Sequence, residues 1–109
     1  MSVRAVTDGD WDEVVLGGGP PVLVDAHAPW CRPCEAVHGL VADAAARHAG
    51  RLLTVSLDID ANPRTAGRYD ILGVPTLLIF RHGDQVGRVT GRIRRSSLES
   101  ALVPVLDQE

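Results

Sequence analysis

The chain has 109 residues, 45% of them hydrophobic and 23% charged, with 14 acids against 11 bases and a formal charge of −3. That length accommodates one domain with a substantial core, of radius about 13 Å, and no second one. The acidic balance argues against general nucleic-acid binding, which depends on a net basic surface to displace counterions. No apolar run approaches the roughly 20 residues of a membrane span. The N-terminal segment carries Asp8, Asp10, Asp12 and Glu13 where a secretory signal would have a basic start and an apolar core. These features predict a cytoplasmic protein without membrane contact; a monomer is the default expectation. All 11 bases are arginines, with no lysine, which GC-rich coding explains. Two cysteines are too few for a disulfide scaffold. In a reducing compartment a close pair of them points to redox chemistry or to metal.

In chain order, Val3 to Val6 reads as a short edge strand, and Trp11 to Leu16 as a short helix with Trp11, Val14 and Val15 on one face. Gly17-Gly18-Gly19-Pro20-Pro21 is a loop and lacks the spacing of a phosphate-binding motif. Val22-Leu23-Val24-Asp25-Ala26 is a near-continuous apolar run, the mark of a strand buried on both faces, and it contains one acid. After Pro29 a helical stripe runs through Val37, Leu40, Val41, Ala44, Ala45 and His48, closed by Gly50. Gly39 within it costs about 1 kcal/mol relative to Ala. Leu52 to Leu57 is a second apolar run, so strand, helix and strand imply a parallel crossover unit.

Asn62-Pro63 predicts an N-cap and a first-turn proline for a short helix reaching about Tyr69. Thr76 to Phe80 reads as a third central strand, and His82-Gly83-Asp84 as the turn into a last strand, Val86 to Thr90, in an antiparallel hairpin. Ser96 and Glu99 have capping-box spacing ahead of a final amphipathic helix through Leu98, Ala101, Leu102 and Val105, whose last turn Pro104 is expected to kink or shorten. Together these give a mixed sheet with helices on both faces.

The chemistry concentrates in Trp30-Cys31-Arg32-Pro33-Cys34, where the buried strand ends and the long helix begins. Two residues between cysteines in a first helical turn bring the sulfurs within bonding reach. The helix N-terminus, with about half a positive charge and free N–H groups, favours a thiolate. Cys31, at the tip, reads as the exposed nucleophile and Cys34, a turn in, as the buried resolving thiol, with Pro33 stiffening the turn between them. The same pair has zinc spacing, and His38 lies one turn beyond Cys34, but no second ligand pair follows and His48 sits at the wrong end of the helix. Asp58-x-Asp60-x-Asn62 begins like a calcium loop, yet Pro63 stands where glycine is required and Tyr69 where the closing glutamate belongs. No metal site is expected.

The sequence resembles the thioredoxin family along nearly its whole length. The matching stretches are Val22 to Asp25, then Ala28-Pro29-Trp30-Cys31-Arg32-Pro33-Cys34, Leu57 to Pro63, Tyr69 to Phe80 with its Gly73-Val74-Pro75-Thr76 segment, Gly83 and Gly91. The resemblance implies a single α/β domain spanning 1–109 with the thioredoxin fold, a central mixed sheet of about five strands flanked by about four helices. It implies a cis Pro75 facing the cysteines, with the Val74 backbone open to an added substrate strand. Gly73, Thr76, Gly91 and a partly exposed Trp30 would contact substrate. It makes Asp25 the buried carboxylate that takes the proton from Cys34, a role that burial suits by raising an acid's pKa.

The implied activity is general protein-disulfide reduction with no bound cofactor beyond the redox-active Cys31–Cys34 disulfide. The implied partners are disulfide-containing proteins and an NADPH-dependent, flavin-containing thioredoxin reductase. A dedicated electron donor to one enzyme, or a binding or chaperone module on the same fold, are the alternative functional classes.

Four positions depart from the family pattern. Arg32 replaces the usual glycine between the cysteines. A cation about 6 Å from the Cys31 thiolate, in a dielectric of roughly 40, is worth on the order of 1 kcal/mol, or about 20 to 30 mV toward a more oxidising couple. Ser56 stands where the family places a lysine near the buried acid, so Asp25 is easier to keep protonated unless another group compensates. His27 replaces a usual tryptophan and is a candidate to modulate the thiols near neutral pH. Glu35 follows Cys34 where many relatives have a base, and reads as a solvated residue that affects docking. Arg88, Arg92, Arg94 and Arg95 form a basic cluster, either a solvated face or a steering patch for an acidic partner.

Overall fold

Five strands and four helices make up the computed structural model, which describes residues 3–106. The apolar run at Val22 forms β2 (Val22–His27), the centre of the sheet. On one side it pairs in parallel with β3 (Leu53–Asp58), which in turn pairs in parallel with the short edge strand β1 (Arg4–Ala5). On the other side it pairs antiparallel with β4 (Thr76–Arg81), followed by β5 (Asp84–Val89). The order is β1-β3-β2-β4-β5. The mixed five-stranded sheet flanked by four helices is the thioredoxin-type architecture expected from the sequence.

Strand alternation sorts the side chains into two cores. Val22, Val24, Ala26, Val55, Leu57, Leu78 and Phe80 face one side, where α1 (Trp11–Val15) contributes Trp11 and Val15, and Ile71 follows α3 (Pro63–Arg68). There Trp11, Tyr69 and Phe80 pack ring against ring at centroid distances of 5.2 to 5.5 Å. Leu23, Leu77 and Ile79 face the other side, under α2 (Pro33–Arg47) and α4 (Arg95–Leu106). Asp25, two residues from Leu23 on the same strand, therefore points toward α2. The predicted stripe Val37, Val41 and Ala44 is the buried face of that helix.

Local details differ from expectation in instructive ways. Asn62 sits at the start of α3, but its side chain does not cap that helix. Its Oδ1 instead accepts from the Asp8 N–H at 2.8 Å, and Asp8 supplies the cap, its carboxylate accepting from the Arg64 N–H, the Thr65 N–H and the Thr65 hydroxyl. The Thr65 hydroxyl is the largest influence holding the Asp8 carboxyl below its usual range.

The Ser96/Glu99 capping box does not form. The helix starts at Arg95, the Ser97 hydroxyl accepts from the Arg94 N–H at 2.9 Å, and Glu99 is drawn away to Arg47 and His48. Pro104 lies within α4, which continues to Leu106, so the proline does not end the helix. The last strand begins at Asp84 rather than Val86 because the loop is only two residues, His82 and Gly83, both at positive φ (52° and 86°). That is the geometry a tight hairpin turn demands.

Candidate active site

Cys31 and Cys34 are joined in a disulfide, their Cα atoms 5.4 Å apart. Arg32 precedes the first turn of α2 and Pro33 opens it. The Cys34 N–H, one of the donors a helix start leaves free, points at Cys31 Sγ at 3.2 Å. Cys34 is 1% exposed and Cys31 6%. The expected exposure of Cys31 is therefore not found in the disulfide form, because the bond draws its sulfur against Cys34 and Ala28, with Ile59 and Val74 packed alongside. Arg32 and Glu35 are both exposed.

Trp30 is 66% exposed, and its indole N–H donates to Asp60 Oδ2 at 2.9 Å. Asp58 Oδ1 accepts from the N–H groups of Asp60 and Ala61, so the acids that resembled a calcium loop are turn-forming groups after β3. No cluster of three or more histidine, cysteine or acidic side chains suited to a metal ion occurs among the described residues.

Beside the disulfide lies a groove of about 340 Å³ lined by Gly73, Val74, Pro75, Thr76, Gly91 and Leu72. The Val74–Pro75 peptide is cis, as the resemblance implied. The Thr76 hydroxyl donates to the Gly73 carbonyl at 2.7 Å, tying the two ends of this segment together. Gly91 has φ of 73°, the left-handed region that favours glycine. Leu72, at 94% exposed, stands at the margin with its apolar side chain in water. Val74 lines the groove and also packs on the cysteine cluster, so the groove lies next to the disulfide. Arg88, from the basic cluster, borders the groove and donates to the Tyr69 and Asp70 carbonyls, while Arg95 pairs with Asp43 at 3.5 Å. These two are thereby tied to the fold rather than free for a partner.

Asp25 is 1% exposed. It pairs in register with Ser56 on β3, so the position where the family pattern has a lysine is indeed its neighbour. The compensating group is His38. Its Nδ1 lies 2.5 Å from Asp25 Oδ2, while Oδ1, also buried, has no hydrogen-bond partner among the described residues. Burial pushes the Asp25 carboxyl above its usual range; the hydrogen bond and charge of His38, and more weakly the charge of His27, pull the other way. His27 packs edge-on against His38 with ring centroids 4.9 Å apart, so it reaches Asp25 through this cluster rather than standing apart as a strand-end residue.

Sequence reasoning weighed His38 only as a metal ligand. The signal that identifies its role is helical: His38 is four residues after Cys34 and so shares the face of α2 that looks onto the strand carrying the buried acid.

Comparison with known proteins agrees with this geometry. The thioredoxin family model matches residues 2–103. The chain belongs to the thioredoxin family. It is 41% identical over 102 residues to a thioredoxin of Porphyra purpurea, covering 94% of this chain and 95% of that one. It is 41% identical over 97 residues to a thioredoxin of Synechocystis, covering 89% and 91%. A chloroplastic M-type thioredoxin of Pisum sativum is 38% identical over 96 residues; there the match takes in 88% of this chain but only 56% of the relative, so the chain spans about half the length of that protein. Thioredoxins are thiol–disulfide oxidoreductases, and the cysteine pair of this family member already stands as a disulfide at the start of α2.

Proposed function

We propose that the chain is a general protein-disulfide reductase working through Cys31 and Cys34. The observation that carries this reading is the placement of the Cys31–Cys34 disulfide at the N-terminus of α2, against the groove lined by Gly73 to Thr76. In the reduced state the Cys31 thiolate, favoured by the free N–H groups of the helix start and by the Arg32 cation, attacks a substrate disulfide, giving a mixed disulfide and one substrate thiolate. Cys34 then loses its proton to Asp25 and attacks Cys31 Sγ. The Cys31–Cys34 bond forms, the mixed disulfide breaks, and the second substrate sulfur leaves with the electron pair. Two electrons pass to the substrate and the enzyme is left oxidised. The extended segment of the substrate lies along Gly73, Val74 and Thr76, with Trp30, Leu72 and Gly91 supplying apolar and backbone contact.

An NADPH-dependent flavin-containing reductase restores the dithiol, and no bound cofactor takes part. The chain acts as a monomer in the cytoplasm; the pair of cysteines used for exchange rather than for scaffolding supports a reducing compartment.

Reduction of insulin disulfides with dithiothreitol as electron source tests the reading. The wild-type chain accelerates precipitation of the insulin B chain and Cys31→Ser does not. Equal activity of the two would end the proposal. Cys34→Ser accumulates mixed disulfides, and capture of many different proteins supports a general reductase, whereas capture of a single one would make it a dedicated donor.

A further inference from the structure

Among the described residues the buried carboxylate has one hydrogen-bonding partner, and that partner is ionisable and partly open to water. The side chain of His38 is 42% exposed and that of Asp25 2%. We propose that His38 is the positioning residue and counter-charge of Asp25 in the resolving step, doing from the helix what no residue on β3 does, since the register neighbour there is Ser56. The proposal rests on the reductase reading above. By clamping Oδ2, His38 fixes the carboxylate so that Oδ1, the oxygen without a partner, is left to take the Cys34 proton. Cys34 and His38 are four residues apart on α2, about 6 Å along its axis, so the acid held by His38 is held one turn from the thiol it must deprotonate.

The groups facing this pair are few. On β2 the titratable neighbour is His27, in ring contact with His38. On β3 the register neighbour is Ser56, whose hydroxyl does not ionise in this range, and across on β4 the residue opposite Asp25 is Leu77. Val3, from the N-terminal segment, and Ala42, one turn further along α2, complete the pocket, which holds about 350 Å³. Among the described residues, the basic groups lining this pocket are the imidazoles of His27 and His38. Unlike a lysine, an imidazole can change charge within the physiological pH range. The resolving step thus has a pH dependence that a fixed cation would not give it.

The experiment mixes reduced full-length chain with one equivalent of an aromatic disulfide, 5,5′-dithiobis(2-nitrobenzoate), in a stopped-flow spectrometer from pH 6 to 9. The first thionitrobenzoate released reports attack by Cys31 and the second reports resolution by Cys34. His38→Ala is expected to leave the first phase within about twofold and to slow the second about tenfold at neutral pH, part of the roughly 10²–10⁴-fold that a positioned base contributes. The midpoint of its second phase moves to higher pH, because Asp25 has lost the partner that favours its charged form. His38→Lys, which restores a cation that keeps its charge, returns the second phase at neutral pH and moves the midpoint down.

A purely structural role predicts a rate loss that is the same at every pH. That pattern, or an unchanged midpoint in both variants while the first phase is intact, overturns the proposal. A wild-type chain lacking the first phase refutes the reductase reading itself. Carbon-13 titration of the Asp25 carboxyl in wild type and His38→Gln gives an answer independent of turnover: an upward move in the variant supports the pairing, and no move overturns it.

Discussion

Asp25→Asn should make the oxidised protein more stable at neutral and alkaline pH while removing its capacity to accept a proton from Cys34. Burial holds the folded-state carboxyl above the 3.8 of an ordinary aspartate. Between the unfolded and folded values the native state carries a proton that the unfolded chain has already lost, so stability falls as pH rises through that window and levels off above it. Below the unfolded value both states are protonated and the penalty vanishes. Confining a carboxylate in this environment costs several kcal/mol. A charge-assisted hydrogen bond of the kind His38 offers gives back about 1.5–3, leaving on the order of 2 kcal/mol for the uncharged amide to recover.

Urea unfolding of both proteins at half-unit steps from pH 4 to 9 measures this directly. The curves should lie close together in acid, diverge as pH rises and run parallel in alkali, with the variant above. If the two coincide at every pH, or if wild type is the more stable above neutrality, the buried carboxylate is not a destabilising charge and the reasoning built on its burial is wrong.

Other substitutions probe the remaining features. Arg32→Gly should lower the reduction potential by about 20–30 mV, measured by equilibration against glutathione, with the difference shrinking as salt is added because Arg32 is exposed; an unchanged or higher potential would remove Arg32 from the tuning of the couple. Ser56→Lys places a fixed cation at the register neighbour of Asp25, so the carboxyl titration followed by carbon-13 NMR should move down, and a titration that stays put would show that the new ammonium turns away from the pocket. Phe80→Ala removes the ring that meets Trp11 and Tyr69 edge-on at 5.5 and 5.2 Å and should cost about 3–5 kcal/mol in urea unfolding; a loss below about 1 kcal/mol would mean that the two remaining rings close the gap.

The parts of the fold legible from sequence were those governed by strong, short-range periodicity. The runs at Val22, Leu52 and Thr76 became β2, β3 and β4, and the stripe from Val37 to Ala44 became the buried face of α2. Helix ends were less legible, because their caps were decided by residues distant in sequence. Asn62 has the right chemistry to cap α3, but Asp8 offers a full negative charge to the same donors, and Glu99 finds Arg47 and His48 across the surface of α2 instead of its own helix start.

In the site, Cys31 and Cys34 could be placed from their own spacing, and Pro75 and Asp25 from the family resemblance of the stretches that carry them. His38 lies in none. Its importance comes from pairing with an acid 13 positions earlier, a contact made only when β2 and α2 stack. The missing lysine gave notice that something should compensate, and the helix face shared with Cys34 narrowed where to look, but the imidazole had first been weighed as a metal ligand.

The cap that Asp8 places on α3 also has a temporal consequence. A six-residue helix is too short to persist alone in water, and the carboxylate that completes its start is synthesised 56 or 57 residues before the backbone it receives. On a growing chain Asp8 has left the ribosome long before α3 exists, so this helix can be finished only by a segment already outside and waiting. Trimming the N-terminus past Thr7 would therefore unsettle the middle of the protein, at the turn that leads toward Gly73 and Val74, more than the end that was cut.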